Sequence, residues 1–339
     1  MKLKQYKNTN PLTLSLPAER IALYSIKMKS LLVTGASGFV GKHFIDAYAT
    51  EYKILALWNK TQIIHPNALS LKCDLTQTAE LKQVLTKTMP DAILHLAGKA
   101  KTHGEDFNQL MTDNVMITKD LLDCIYELKQ KNGYNPKIII ISSAEVYGKT
   151  TNPKSIDETA PFFPLTEYGL SKMLVDRMSY FYTQAKELDI TILRSFNHTG
   201  PGQKLGFFVS DIASQIVKIE KGLQTELEVG NLSSIRDVLD VRDVVKAYKA
   251  AIDKNTSTGE AFNVCSGKGY SMEQILRKLC NLSQAKIDVV QNPAKMRPSD
   301  NPLIIGNNAK FKKATKWKPQ ISIDQTLKDC LEYWRTKSD

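Results

Sequence analysis

The stretch VTGASGFVG, Val33 to Gly41, places three glycines between an apolar run and an amphipathic one. Gly35 permits a tight turn, Gly38 lets the backbone approach a pyrophosphate, and Gly41 lets helix and sheet pack closely. A glycine pattern alone is weak. Here it follows the first strand, opens the first helix and heads a chain of alternating strands and helices, which is the context that gives it meaning.

That alternation runs through the first half of the chain. SLLVTG, KILALW, LSLKCDL, DAILHLAG, KIIIISS and ITILRSF read as short strands. FVGKHFIDAYAT, AELKQVLTKT, NQLMTDNVMITKDLLDCIYELKQ and EYGLSKMLVDRMSYFYTQAKEL read as helices, with apolar residues three and four apart. KIIIISS is almost continuously apolar, so both its faces are expected to be buried. The predicted fold class is α/β: a Rossmann-type doubly wound parallel sheet with a smaller C-terminal α/β substrate-binding domain.

After Asn197 the rhythm breaks into irregular segments, with helices predicted at about 208–221, 241–253 and 271–281. GEAFNVCSG reads as a late strand rejoining the sheet, and the end as a short strand, two helices and a loop. The expected division is 29–196 plus 238–265 for a cofactor domain and 197–237 plus 266–339 for a substrate domain. Residues 1–28 are basic and lack a sustained apolar period. They read as a flexible extension, or as the product of an upstream start with Met28 the working one.

Composition removes several function classes. In 339 residues no apolar run reaches the roughly 18 residues of a membrane span. Five Cys without a CxxC pair fit reduced thiols in a cytoplasmic protein and give no metal-ligand spacing. The net charge of +11 is spread along the chain without a nucleic-acid-binding signature. A basic surface also suits a small anionic ligand such as a nucleotide diphosphate.

The second strand ends in LWNK, without the acid that would bond the adenosine ribose hydroxyls. Asn59 and Lys60 there can accommodate a 2′-phosphate, so NADP(H) is favoured, with NAD(H) as the alternative. Asp74, beside Leu75 at the end of the third strand, can bond the adenine amino group. Leu96, Ala97 and Gly98 close the fourth strand on the cofactor side. SSAEVYG, Ser142 to Gly148, follows the fifth strand, and YGLSK, Tyr168 to Lys172, opens the next helix. Tyr and Lys four apart share a helix face, where the ammonium favours the phenolate. Such a Tyr can pass a proton to a carbonyl oxygen that Ser143 also bonds. A YxxxK occurs often by chance, and a packing Tyr is the alternative.

Together the glycine pattern, HLAG, SSAEVYG and YGLSK resemble the extended short-chain dehydrogenase/reductases that act on nucleotide sugars, over Ser30 to Arg335. FNHTGPGQ, SSIRDVLDVRDVVKAY and MRPSDNPLIIGN look most like the branch that reduces GDP-4-dehydro-6-deoxy-D-mannose to GDP-D-rhamnose. The resemblance implies that Thr34, Gly35, Ser37, Gly38, Phe39 and Val40 cradle the cofactor. It implies that Tyr168 is the proton donor, Lys172 its modulator and a ribose ligand, and Ser143 the keto-oxygen anchor. Asn197 would contact the sugar diphosphate, and Arg236 and Arg297 would grip its phosphates, each Arg having a surface ion pair as the alternative.

Ala144 supplies no acid for elimination, which favours simple reduction; Glu145, a further candidate at the substrate, leaves dehydration open. Ser195 stands where relatives usually have Pro, implying looser backbone. His198 is expected to support its loop and His95 to be a satisfied strand-end residue. Lys99 and Lys101 could meet phosphate or solvent. The family usually forms homodimers through two long helices, here about 107–131 and 167–187. A 4-epimerase or 4,6-dehydratase, and a non-catalytic cofactor-sensing regulator, are the rival readings. GDP against dTDP, and rhamnose against 6-deoxytalose, stay open.

Overall fold

The computed structural model describes residues 28–99, 106–149, 152–254, 256, 258–296 and 301–337. Six strands, with a helix between each consecutive pair except the second and third, fill the first half: β1 (Ser30–Thr34), β2 (Lys53–Trp58), β3 (Ala68–Lys72), β4 (Ala92–His95), β5 (Lys137–Ser143) and β6 (Ile190–Ser195). A late strand, β10 (Ala261–Val264), joins them in one parallel sheet of order β10-β6-β5-β4-β1-β2-β3. The order reverses between β1 and β4, which opens a crevice at the carboxyl ends of those strands.

Strand residues divide cleanly between two cores. Leu31, Val33, Ile54, Ala56, Ala92, Leu94 and Ile139 face α1 (Phe39–Tyr48) and α7 (Val241–Asp253). Leu32, Leu55, Ile93, Ile138, Ile140, Ile190 and Ile192 face α2 (Thr78–Thr88), α4 (Ile117–Asn132) and α5 (Glu167–Lys186). Side chains alternate between faces with a period of two, so a strand covered on both sides must be apolar at consecutive positions. That is why the run Ile138 to Ile141 carries no polar residue.

The long helix read at about 107–131 is interrupted. α3 (Phe107–Leu110) passes into one π-helical turn, Met111–Met116, before α4 begins. α5 starts where expected, with the Thr166 hydroxyl accepting the Gly169 N–H at 3.0 Å.

Beyond β6, the sequence reading recognised helices but overlooked most strands. α6 (Phe208–Glu220), α8 (Met272–Cys280), α9 (Ala309–Thr315) and α10 (Ile323–Thr336) accompany β7 (Asn197–Thr199), β8 (Glu226–Val229), β9 (Ile235–Asp240), β11 (Gly269–Ser271), β12 (Asp288–Gln291) and β13 (Leu303–Ile304). β9 pairs with β7, β11 and β13; β8 pairs with β12. These strands are short and carry charged or exposed residues, so no apolar run announces them. α6, α8 and α10 close a separate apolar core over Leu227 and Val229 of β8.

RDVLDVRD holds the second half together. Asp237 accepts the N–H groups of Ser266, Gly267 and Gly306 at 2.7, 2.8 and 3.2 Å. Asp240 accepts Arg242 N–H and Thr326 O–H, both at 2.8 Å. Asp243 accepts the N–H groups of Gln320 and Ile321, both at 2.7 Å. All three carboxylates are buried, and a buried carboxylate is tolerated only when so bonded. Asp243→Ala leaves the half-buried Gln320 and Ile321 N–H groups without their acceptor and removes the carboxylate that fixes this segment to α7. Unfolding in urea should show a loss of roughly 2–4 kcal/mol, with little change in m-value.

Candidate active site

A cleft of about 960 Å³ opens at the carboxyl ends of the central strands. Of the candidates read from sequence, Gly35, Ser37, Gly38, Phe39, Val40, Leu96, Gly98, Ser143, Glu145, Tyr168, Lys172 and Asn197 line it. A side pocket of about 280 Å³ shares Gly35, Ser37 and Gly98 with the cleft and brings in Asn59, Lys60, Asp74, Leu75 and Ala97. Thr34 lies beneath, its hydroxyl oxygen accepting the Ala97 N–H at 3.0 Å. Arg236 is buried on β9, donates to its neighbour's carbonyl, Ile235 O, and does not border the cleft. Arg297 and Lys101 lie outside the described residues.

The dinucleotide reading can be tested on the turn itself. Gly35 adopts φ +63°, and a Cβ there would sit 2.7 Å from Ala97 N. Gly38 precedes α1 without a side-chain cap, and the first turn of α1 carries no acid. Its N–H groups and positive dipole end therefore suit a pyrophosphate. In the side pocket the end of β2 offers Trp58, Asn59, Lys60 and Thr61, and no carboxylate. Asp74 is engaged by Thr76 N–H and O–H at 3.0 and 2.8 Å, and these bonds hold its carboxyl below the usual range. The residues present fit a nicotinamide dinucleotide with a phosphorylated ribose.

At the other end of the cleft, β5 delivers Ser143, whose oxygen accepts Glu145 N–H at 3.2 Å and leaves its proton free to donate. Tyr168 and Lys172 come from the first two turns of α5. Lys172 is buried; its ammonium donates to Ile141 O at 3.0 Å, and burial pulls its pKa down to about 8. Ser143, Tyr168 and Lys172 thus converge from two elements that the sheet brings side by side.

His198, which lines the cleft, and His95, buried beneath it, have structural jobs. His198 Nδ1 donates to Phe196 O at 3.0 Å, and burial lowers its pKa. His95 is sealed between Thr34 and Thr118, and burial, with the Lys172 charge second, pushes it down to about 3. Ser195 does not loosen its strand: its hydroxyl pairs with Tyr248 at 2.7 Å, tying β6 to α7. The FNHTGPGQ loop is braced internally, Gln203 accepting from Thr199 and donating to His198 O.

Sequence reasoning missed Lys42 and Lys204, which line the cleft, and Asn114, which reaches under Lys99. Lys204 follows the loop without a motif of its own. Asn114 did leave a signal, a polar residue on the apolar stripe of a helix.

The family model described as GDP-mannose 4,6 dehydratase matches residues 32–330. GDP-6-deoxy-D-mannose reductase of Pseudomonas aeruginosa is 31% identical over 91% of this chain and 97% of its own length. GDP-6-deoxy-D-talose 4-dehydrogenase of Aggregatibacter actinomycetemcomitans is 31% identical over 83% of this chain and 89% of its own. Among solved structures, RMD from Pseudomonas aeruginosa complexed with NADPH superposes with a TM-score of 0.78 at 30% identity, covering 91% and 99% of the two chains.

Lys172 is charged at neutral pH although burial disfavours that charge. Below about pH 8 its burial destabilises the fold; between 8 and 10.5 the unfolded chain holds more protons, so stability rises with pH. Lys172→Met is therefore expected to raise thermal stability at pH 7, by on the order of 1–3 kcal/mol. The gain should fade by pH 10.5, and calorimetry across that range measures it.

Proposed function

The chain belongs to the GDP-mannose 4,6 dehydratase family, and from that membership we propose that it reduces the 4-keto group of GDP-4-dehydro-6-deoxy-D-mannose with NADPH, yielding GDP-D-rhamnose. The observation that carries the reading is the convergence of Ser143, Tyr168 and Lys172 at one end of a cleft whose other end fits a dinucleotide. Similarity over 91% of the chain to a GDP-6-deoxy-D-mannose reductase supports the substrate.

NADPH, when bound, supplies the hydride. The chain's own part is to hold the ketone and deliver a proton. Ser143 donates a hydrogen bond to the keto oxygen and fixes it beside the Tyr168 hydroxyl. Tyr168 passes its proton to that oxygen as negative charge develops there. The Lys172 ammonium, one helical turn away, favours the phenolate left behind. Asn197 holds the sugar diphosphate, and Arg236, set back from the cleft, and Arg297 are the guanidinium groups assigned to its phosphates. Ala144 offers no acid for water elimination, so the reaction stops at the alcohol; Glu145 contacts the sugar.

Lys60 and Asn59 select the 2′-phosphate; NAD(H) serves more weakly. We assign residues 29–196 with 238–265 to the cofactor domain and 197–237 with 266–339 to the substrate domain, and read the protein as a cytoplasmic homodimer. Tyr180 and Phe181 of α5, exposed by 47% and 53%, support pairing through that helix.

The relative named for 6-deoxy-D-talose favours one second reading, in which hydride arrives at the opposite face of the ketone. Incubation with the keto sugar and NADPH should consume cofactor, and the C4 configuration read by NMR separates the two products. Redox-neutral turnover on tightly held NAD would instead make it an epimerase.

Tyr168→Phe is expected to lower kcat at least roughly 100-fold with the protein still folded; undiminished turnover would remove Tyr168 as the acid. Asn59→Asp puts a carboxylate at the end of β2. It should raise the KM for NADPH at least tenfold and favour NADH, measured as the ratio of kcat/KM for the two cofactors.

A further inference from the structure

A chain of side chains that the proposed reaction does not use runs through the wall of the cleft. Thr34, His95, Thr118, Asn114 and Ser171 are each at most 3% exposed. Thr34 Oγ1 lies 2.9 Å from His95 Nδ1, and His95 Nε2 lies 3.1 Å from Thr118 Oγ1. Thr118 O–H donates to Asn114 O at 2.6 Å. The Asn114 amide donates to Ser171 Oγ at 3.0 Å and accepts the Lys99 N–H at 2.8 Å, and Ser171 O–H donates to Tyr168 O at 2.8 Å.

Each hydroxyl and imidazole proton in this chain has one place to be. The single Thr118 proton goes to Asn114 O, because a carbonyl only accepts. Thr118 Oγ1 must then accept from His95, which puts the ring proton on Nε2 and leaves Nδ1 as an acceptor. Thr34 gives its proton to Nδ1, and its oxygen takes the Ala97 N–H at 3.0 Å. Each hydroxyl and each ring nitrogen in the run has a partner, and in an apolar setting each broken link would strand a buried polar group.

We propose that His95 and Thr118 are positioning residues: a proton-locked brace that sets the distance between the pyrophosphate turn after β1 and the helix bearing Tyr168 and Lys172. One end of the brace is Thr34, next to Gly35. The other is the first turn of α5. Asn114 sits between them on the π-helical turn, the kind of helix irregularity that recurs where a side chain must be aimed. Space at the join is tight. A Cβ on Gly98 would lie 2.6 Å from Asn114 Oδ1 and 3.6 Å from the Lys172 ammonium. A shift of one ångström between hydride donor and ketone is enough to slow transfer strongly, so a brace of this kind acts on the chemical step and not on cofactor affinity.

The inference rests on the reductase reading for its kinetic consequence, and its protonation pattern is independent of any substrate. Two-bond ¹⁵N–¹H spectra of the histidine rings in the wild-type protein, assigned with His95→Gln, should show His95 neutral and protonated on Nε2 from pH 6 to 9. An Nδ1-protonated or titrating ring overturns the brace whether or not the enzyme turns over.

Thr118→Val keeps the shape and removes the link, and Thr118→Ser keeps the link. In a wild-type enzyme that reduces the keto sugar, Thr118→Val is expected to lower kcat about tenfold and to raise the primary isotope effect with 4-deuterated NADPH. NADPH affinity by fluorescence should stay within about twofold, and Thr118→Ser should restore kcat and the isotope effect. An activity loss that merely tracks the folded fraction, with the isotope effect unmoved, overturns the positioning role. Absence of turnover in the wild type sinks the reductase reading instead and leaves the NMR result to judge the brace.

Discussion

Burial of the Lys172 ammonium sets terms that the rest of the site has to meet. A cation removed from water costs several kcal/mol unless polar groups receive it. Here the receiving group is a backbone carbonyl, Ile141 O, near the end of β5. That contact requires α5 to lie against β5, and the two elements are packed together through the core that holds Val175, Ile138 and Ile140. The same approach sets Tyr168 on the cleft wall that Ser143 also lines. The geometry of the acid and the cost of the cation therefore have one origin, the docking of α5 on the strand that supplies the serine.

The second half solves a different problem. Its strands are short, and its core over β8 is separate from the two cores of the large sheet. Apolar burial alone would not fix how segments 266–268, 306 and 320–326 meet β9 and α7. The three aspartates do this by direction: each accepts specific N–H or O–H groups that no other arrangement would satisfy. β9 carries two of them and also pairs with β7, so Asn197 on β7 stands opposite Val238 between Asp237 and Asp240. The loop that borders the cleft is thus held by the same strand that organises the C-terminal segments.

Legibility in the sequence followed the physics of each part. The strands of the large sheet are covered on both faces, so they had to be apolar runs, and KIIIISS or ITILRSF could be read without ambiguity. The turn at Gly35 to Gly41 was readable because the backbone there tolerates few alternatives. β8 and β12, ELEV and DVVQ, were not, since half-exposed strands of four residues carry no periodic signal. Ser195 was misjudged as a loosened position because its partner, Tyr248, is 53 residues away in sequence. The polar run from Thr34 to Ser171 was invisible for the same reason: its links join residues up to 61 apart. Helix periodicity could mark Asn114 as out of place on an apolar stripe, but not what it was placed to reach.

The excess of positive charge also acquires a location. Arg194 is consumed by Asp176, Arg242 by Asp240 and Asp329, and Arg335 by Glu220 and Glu332. Lys42, Lys99 and Lys204 line the main cleft and Lys60 the side pocket, and none of the four has an ion pair among the described residues. Lys42 even stands in the first turns of α1, where the helix dipole disfavours a cation. That placement makes sense if anions share the cleft. A phosphorylated dinucleotide and a sugar diphosphate together bring several negative charges into one crevice, and mutual repulsion would oppose binding both at once. Lysines at both ends of the crevice screen that repulsion, so part of the positive excess of the chain is placed to meet small anionic ligands.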